Sequence, residues 1–446
     1  MPAAGGPEPQ SENRFDVTDE PLPAVTLDEL KPSRWAALGS LRYPEFALFW
    51  GGQVVSLVGT WMQAFAQGWV ITTLTASPLA LGMVSFASSI PTLLFMPLGG
   101  VAADRMDRRR ILLMTQWLMM LLAFLMGWLL ATKQLQLWHL FGIALMLGVV
   151  TAYELPAFQA FYPQLIPRSE LPRAIPLNQA AFHGARIVGP AVGSWLVARW
   201  GSHTAFFANA ASFLAVVAAL ALIRPRPPVP GSQETSVRTM LREGVDYVRE
   251  RPGLQALLAL VGLTTFCIFP NLAVLSPHYA REVLHVGAGG LGIMMSVSGA
   301  GALLGAVLLL TLGPGGRLPR IAASVVVGFV ALSIMAWSRS LWLSVAAMTL
   351  QSFALSQSMG IISIMVQEMV PDELRGRVMS LYTLMFTGIM PFGALAIPGL
   401  AQAIGMRLEL QIAAVVFLLL GVYFAYRLYR ATDLETAVPT VSEEAG

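Results

Sequence analysis

Two ionisable side chains, Glu154 and Arg186, stand inside long apolar stretches. A charge at that depth costs about 2.5 to 3.5 kcal/mol on insertion scales, so such residues are rare. Glu154 stands some 12 residues before the cytoplasmic end expected for its helix and Arg186 about 12 after the cytoplasmic start of the next, which at about 1.5 Å per residue places both near mid-depth on adjacent antiparallel helices able to bring them together. A carboxyl there can exchange a proton, and an acid–guanidinium pair can open to meet a charged substrate. A pair whose members merely neutralise each other fits the same residues. Gln63, Gln67, Asn178, His183 and Asn209 fall in similar stretches and need polar partners or a cavity to line. Other chemistry is poorly provided for. His278 and His285 lack a third metal ligand nearby, no glycine-rich loop precedes a Lys-Ser or Lys-Thr pair, and no nucleophile–base set stands out. An enzyme, a metal site, a cofactor and ATP as energy source are therefore not expected.

The elements that must hold these residues are membrane helices. Of 446 residues 56% are hydrophobic and 12% charged, far from a soluble composition. The net charge of +3 comes from arginines in turns between apolar runs rather than on one face, which points to topology and away from nucleic acid. Apolar runs near 45–74, 79–103, 111–131, 137–161, 174–198, 203–223, 254–277, 288–312, 321–337, 341–366, 378–402 and 408–426 make twelve spans. Lys133, Arg199, Arg281, Arg339 and Arg407 fall one per turn on one side, while the turns on the other side are arginine-rich. By the positive-inside rule both termini are then cytoplasmic in a multi-pass inner (plasma) membrane protein. The start of the chain lacks the pattern of a cleavable signal peptide. The lone Cys267, in an apolar run, can form no intramolecular disulfide.

The expected organisation is a disordered cytoplasmic tail and interfacial lead-in over 1–40, a six-helix half over 41–223, a cytoplasmic linker with an amphipathic helix over 224–253, a second half over 254–430, and a tail over 431–446. Met240, Leu241, Val245 and Val248 carry the linker helix. The halves repeat weakly: Pro167, Arg173, Gly184 and Gly189 recur as Pro371, Arg377, Gly388 and Gly393, and Gly82 and Arg110 as Gly292 and Arg320.

Between the second and third runs stands Gly99-Gly100-Val-Ala-Ala-Asp104-Arg105-Met-Asp-Arg108-Arg109-Arg110. This turn resembles the loop motif of the major facilitator superfamily. The resemblance implies twelve helices in two six-helix pseudo-repeats, with Gly99 or Gly100 giving close helix approach. It also implies that Asp104 acts as a cytoplasmic gate element, capping the start of helix 11 near Arg377 to Ser380. The second copy of the loop has Pro314 where the first has Asp104.

The stretch Ser56 to Gly82, with Gly59-Thr-Trp61-Met-Gln63 and Thr75-Ala-Ser-Pro-Leu-Ala-Leu-Gly82, is similar to the branch holding macrolide-efflux and enterobactin-export proteins. Many relatives carry a charge near Gln63, where this chain has Ala64 and Phe65. Gly184-Ala-Arg-Ile-Val-Gly189-Pro190-Ala-Val-Gly193 resembles the helix 5 motif of superfamily exporters, although packing alone would account for its glycines. The resemblance implies a monomeric secondary transporter in membrane lipid, exporting an amphipathic drug-like compound or secreted metabolite such as a siderophore, with protons as the coupling ion. Glu154 is the best single candidate to carry that proton. A lysophospholipid or other lipid facilitator, or a non-transporting receptor on the same scaffold, is the alternative.

Overall fold

The structure, a computed structural model, describes residues 36–224, 237–311, 313 and 315–437. Expectations for residues 1–35, for 225–236 of the linker, for Pro314 and for 438–446 fall outside it, as do the side chains of Met240 and Leu241.

Every regular element is helical among the described residues. The first half contains α1 (Pro44–Leu74), α2 (Pro78–Arg105), α3 (Arg108–Ala131), α4 (Leu137–Phe161), α5 (Leu171–Trp200) and α6 (His203–Leu222). The amphipathic α7 (Val237–Arg249) follows. The second half begins with α8 (Pro252–Cys267), α9 (Phe269–Ala273), α10 (Ser276–His278) and a π-turn at Tyr279–Val283. It continues through α11 (Ala288–Thr311), α12 (Arg317–Trp337), α13 (Leu341–Glu368), α14 (Asp372–Thr383), a π-turn at Leu384–Gly388, α15 (Met390–Ile404) and α16 (Met406–Ala437).

Proline at or next to the first position starts α1, α2, α5, α8, α9, α10 and α15, where its missing N–H would have no helical partner anyway. Pro270 and Pro277 also explain why the seventh span is built from three pieces.

Among the described residues, eleven helices or helix series are long and apolar enough to cross a membrane. Helix α5 spans 30 residues, about 45 Å at 1.5 Å per residue, but Arg173, Arg186 and Arg199 leave it outside that apolar set. Large apolar side chains such as Leu94, Leu121, Leu222 and Leu304 face outward all round, as lipid contact requires.

Trp128, Trp138, Trp200, Trp337 and Trp342 are exposed near one set of turns, hereafter the far end, where aromatic rings suit a membrane interface. The arginine-rich turns mark the opposite, basic end.

The two halves repeat the same packing. Helices α1·α5, α1·α6, α2·α4, α3·α4 and α3·α6 correspond to α8·α15, α8·α16, α11·α13, α12·α13 and α12·α16. Glycines permit the closest approaches: a Cβ on Gly52 would sit 2.9 Å from the Ala215 carbonyl oxygen, and one on Gly99 would overlap that of Ala152. The halves meet along α5·α11 and α2·α15.

Candidate functional site

From mid-depth, where a Cβ on Gly299 of α11 would stand 3.2 Å from the Arg186 carbonyl oxygen, the contacts between halves run to the far end. There the Ser77 hydroxyl donates to Gln402 Oε1 at 2.7 Å, and Arg281 lies over the Trp69 ring at 5.7 Å. A Cβ on Gly82 would stand 2.5 Å from the Ala394 carbonyl oxygen, and one on Gly68 would stand 2.6 Å from Pro277.

At the basic end the motif loop binds its own half. Asp107 caps α3 by accepting from the Arg109 N–H at 3.0 Å, and Arg110 lies 3.7 Å from Asp107. Arg108 donates to the Ala103 carbonyl at 3.0 Å, and Arg109 satisfies the last α6 carbonyls at Leu220 (2.6 Å) and Ala221 (3.2 Å). Arg105 closes α2. Asp104 is 64% exposed and stands 4.0 Å from Arg108. Its expected target at the start of the eleventh span is engaged elsewhere, since Arg377 pairs with Glu243 of α7 at 2.5 Å. Of the two loop glycines, Gly99 is the close-approach residue and Gly100 faces open space.

At the same end the lead-in Ala36–Arg42 is tied down by Arg42, which donates to Glu170 at 2.7 Å. Its hydrogen bond to Tyr43, and then the Glu170 charge, hold the Arg42 guanidinium above its ordinary pKa.

Inside the first half, Glu154 and Arg186 do not form the pair expected of them. Glu154 Oε1 accepts from Gln116 Nε2 of α3 at 2.7 Å, while the Arg186 guanidinium lies 5.7 Å from the centre of the Trp61 ring of α1. The reason is topological: α4 packs on α2 and α3, and α5 on α1 and α11, so these sequence neighbours share no extended face.

Phe182 meets Trp61 edge-on at 5.6 Å and His183 at 5.7 Å, and the His183 Nδ1 is buried without a protein partner. Gln63 Oε1 accepts from Asn209 Nδ2 at 2.8 Å, and Ser212 donates to Asn209 Oδ1 at 3.0 Å, a buried relay that joins α1 to α6. Gln67 and Asn178 are half-buried.

In the helix 5 motif, a Cβ on Gly189 would be 2.5 Å from Trp61 Cβ, and Gly193 packs on Met62 and Phe65, so both serve the α1·α5 contact. The Pro190 carbonyl faces Gly292 of α11, while Gly184 faces open space.

Sequence reasoning missed Gln116, Asn271 and Glu409. Glu409 is fully buried and accepts from Asn271 Nδ2 at 3.2 Å. It sits beside Arg407 at the start of a run and so reads as a boundary charge. Yet Met406, Glu409, Leu410, Ala413, Ala414 and Phe417 are all buried, a helical stripe that the 3.6-residue period would have revealed.

Eleven apolar helices or helix series of membrane-spanning length, in two like halves that meet along two helix pairs, with polar side chains inside each half and a basic loop between α2 and α3, define a major facilitator transporter of small molecules. Residues 35–442 match the transmembrane secretion effector model, and the chain belongs to that family.

It is 25% identical over 371 residues to macrolide efflux protein A of Streptococcus pyogenes, spanning 81% of this chain and 91% of that one. It is 24% identical over 384 residues to the multidrug efflux pump Tap of Mycolicibacterium fortuitum, spanning 83% and 92%. The fold matches a bacterial homologue of the human lysosomal transporter Spinster, solved inward-facing and occupied. That match has a TM-score of 0.69 at 13% identity and covers 88% of this chain and 97% of that one.

Proposed function

We propose that the protein exports an amphipathic drug-like compound or secreted metabolite across the bacterial plasma membrane by alternating access, driven by protons. The observation that carries the reading is the asymmetry of contact between the halves. They are bonded at the far end through Ser77 and Gln402, whereas Asp104 at the basic end is exposed and apart from the second half. That is the state in which a substrate enters from the basic side. The basic end is taken as cytoplasmic, with both termini on that side and α5 as the twelfth span. Export is favoured by the macrolide and multidrug efflux named for the relatives. In the opposite state Asp104 latches to the start of α14.

Glu154 is the proton-exchanging group of the first half. Gln116 holds its carboxyl in place, and Arg186, caged by Trp61, is left to meet substrate.

The test is reconstitution of the full chain in proteoliposomes with an imposed pH gradient and ethidium as probe. Parent protein is expected to accumulate the dye against its gradient, and Glu154→Gln to lose accumulation while eluting as a monodisperse peak. Accumulation by Glu154→Gln equal to the parent's would remove Glu154 from coupling, and no dye movement by the parent in either direction would count against drug export.

A further inference from the structure

The seventh span is broken where it meets the twelfth. Asn271 of α9 uses its Nδ2 group twice, donating to the Cys267 carbonyl at 3.1 Å and to Glu409 Oε1 at 3.2 Å. Both residues have no exposed surface. Glu409 Oε2 and Asn271 Oδ1, also buried, have no protein hydrogen-bond partner.

The site lacks a counter-charge. The titratable group facing Glu409 from the α8 side is the Cys267 thiol. Helix α15 has no ionisable residue over Met390–Ile404, and α12 has none between Arg320 and Trp337. On its own helix, Arg407 is exposed and lies near Tyr279 instead.

A buried carboxylate with one hydrogen bond and no cation is the expensive form of this group, and the neutral acid is the inexpensive one. The bond to the Cys267 carbonyl fixes which face the amide shows: an N–H donor, which suits a carboxyl oxygen and disfavours a metal cation.

The site is also placed to act at a distance. Six residues beyond Asn271, Pro277 sits against Gly68 of the first half, within the far-end contact that must part for release. A change of charge on Glu409 bears on the segment that carries Pro277.

We propose that Glu409, held by Asn271 where α9 meets α16, is a second proton-binding site, loaded while the far end is shut and exchanging with the far side when Pro277 leaves Gly68. The proposal rests on the proton-driven reading above and adds a group in the other half. The step is a simple ionisation: the carboxyl O–H bond breaks, its electron pair stays on oxygen, and the proton passes to water on the far side.

The test combines infrared spectroscopy of the full chain in lipid nanodiscs with transport in proteoliposomes. The parent is expected to show the C=O stretch of a protonated carboxylic acid at neutral pH, fading to carboxylate bands as pH is raised. Glu409→Gln, neutral and of the same shape, is expected to lack that component, to lose pH-driven accumulation of ethidium and to retain its downhill equilibration. Glu409→Asp should restore the band and part of the accumulation.

A parent-like band in Glu409→Gln would overturn the proposal. So would a Glu409 band that does not titrate, or pH-driven accumulation undiminished in Glu409→Gln. If the parent moves no ethidium, the export reading fails separately, while the band and its titration still decide whether Glu409 binds and releases a proton.

Discussion

The same helix crossing occurs once in each half, and the two copies have different chemistry. Where α1 meets α6, Gln63 and Asn209 form a neutral amide pair completed by Ser212, and none of their side-chain atoms is buried without a partner. Where the seventh span meets α16, an amide faces a carboxyl instead, and one oxygen on each is unpartnered. The first crossing is closed polar packing. The second holds capacity in reserve, and reserve capacity is what a site that changes protonation requires. The difference shows that pseudo-symmetry in this fold reaches the backbone and the helix pairs while the polar chemistry at equivalent crossings has diverged.

The comparison can be broken most forcefully by giving the first crossing the chemistry of the second. Gln63→Glu buries a carboxyl in a relay of neutral groups with no cation to pair it, at a cost of up to about 2.5 to 3.5 kcal/mol. Thermal unfolding in nanodiscs should show a marked loss at neutral pH that shrinks on acidification, as the introduced group takes up a proton. A pH-independent loss would mean that shape rather than charge sets the difference between the crossings.

The next effect in size compares Asn271→Leu with Asn209→Leu. The first leaves both oxygens of a buried carboxyl without a protein partner and should cost about 1 to 3 kcal/mol. The second removes an inter-helix amide bond of the kind worth about 0.6 kcal/mol on average in membranes. Equal losses would erase the distinction.

The smallest effect on stability is expected from Asp104→Asn, within about 0.5 kcal/mol, because the side chain is exposed and its 4.0 Å pair with Arg108 lies within one loop. Its flux should nevertheless fall if Asp104 latches the opposite state. Unchanged flux and an unchanged inside-open population would remove that role.

The helices, their repetition and the basic turn between α2 and α3 could be read from the sequence because lipid leaves a chain few options: an apolar run of sufficient length becomes a helix, and a basic cluster becomes a turn. Partner choice was not legible. Glu154 and Arg186 looked like neighbours because their helices are consecutive, yet α4 turns to α2 and α3 while α5 turns to α1 and α11. Gln116, a neutral residue in an apolar run, gives no signal of its own that it would take the carboxyl. Arg109 was legible as a topology charge but not as the cap of α6, which depends on where that helix ends in space.

Cys267 is the sole thiol of the chain, 3% exposed. Its carbonyl holds the amide that holds Glu409. Unmodified protein therefore contains its own stopwatch: alkylation at Cys267 can proceed only as fast as the wall around it opens, so the rate at which a maleimide is consumed counts the openings. Measured across a titration, that rate would time the motion without introducing a single foreign residue.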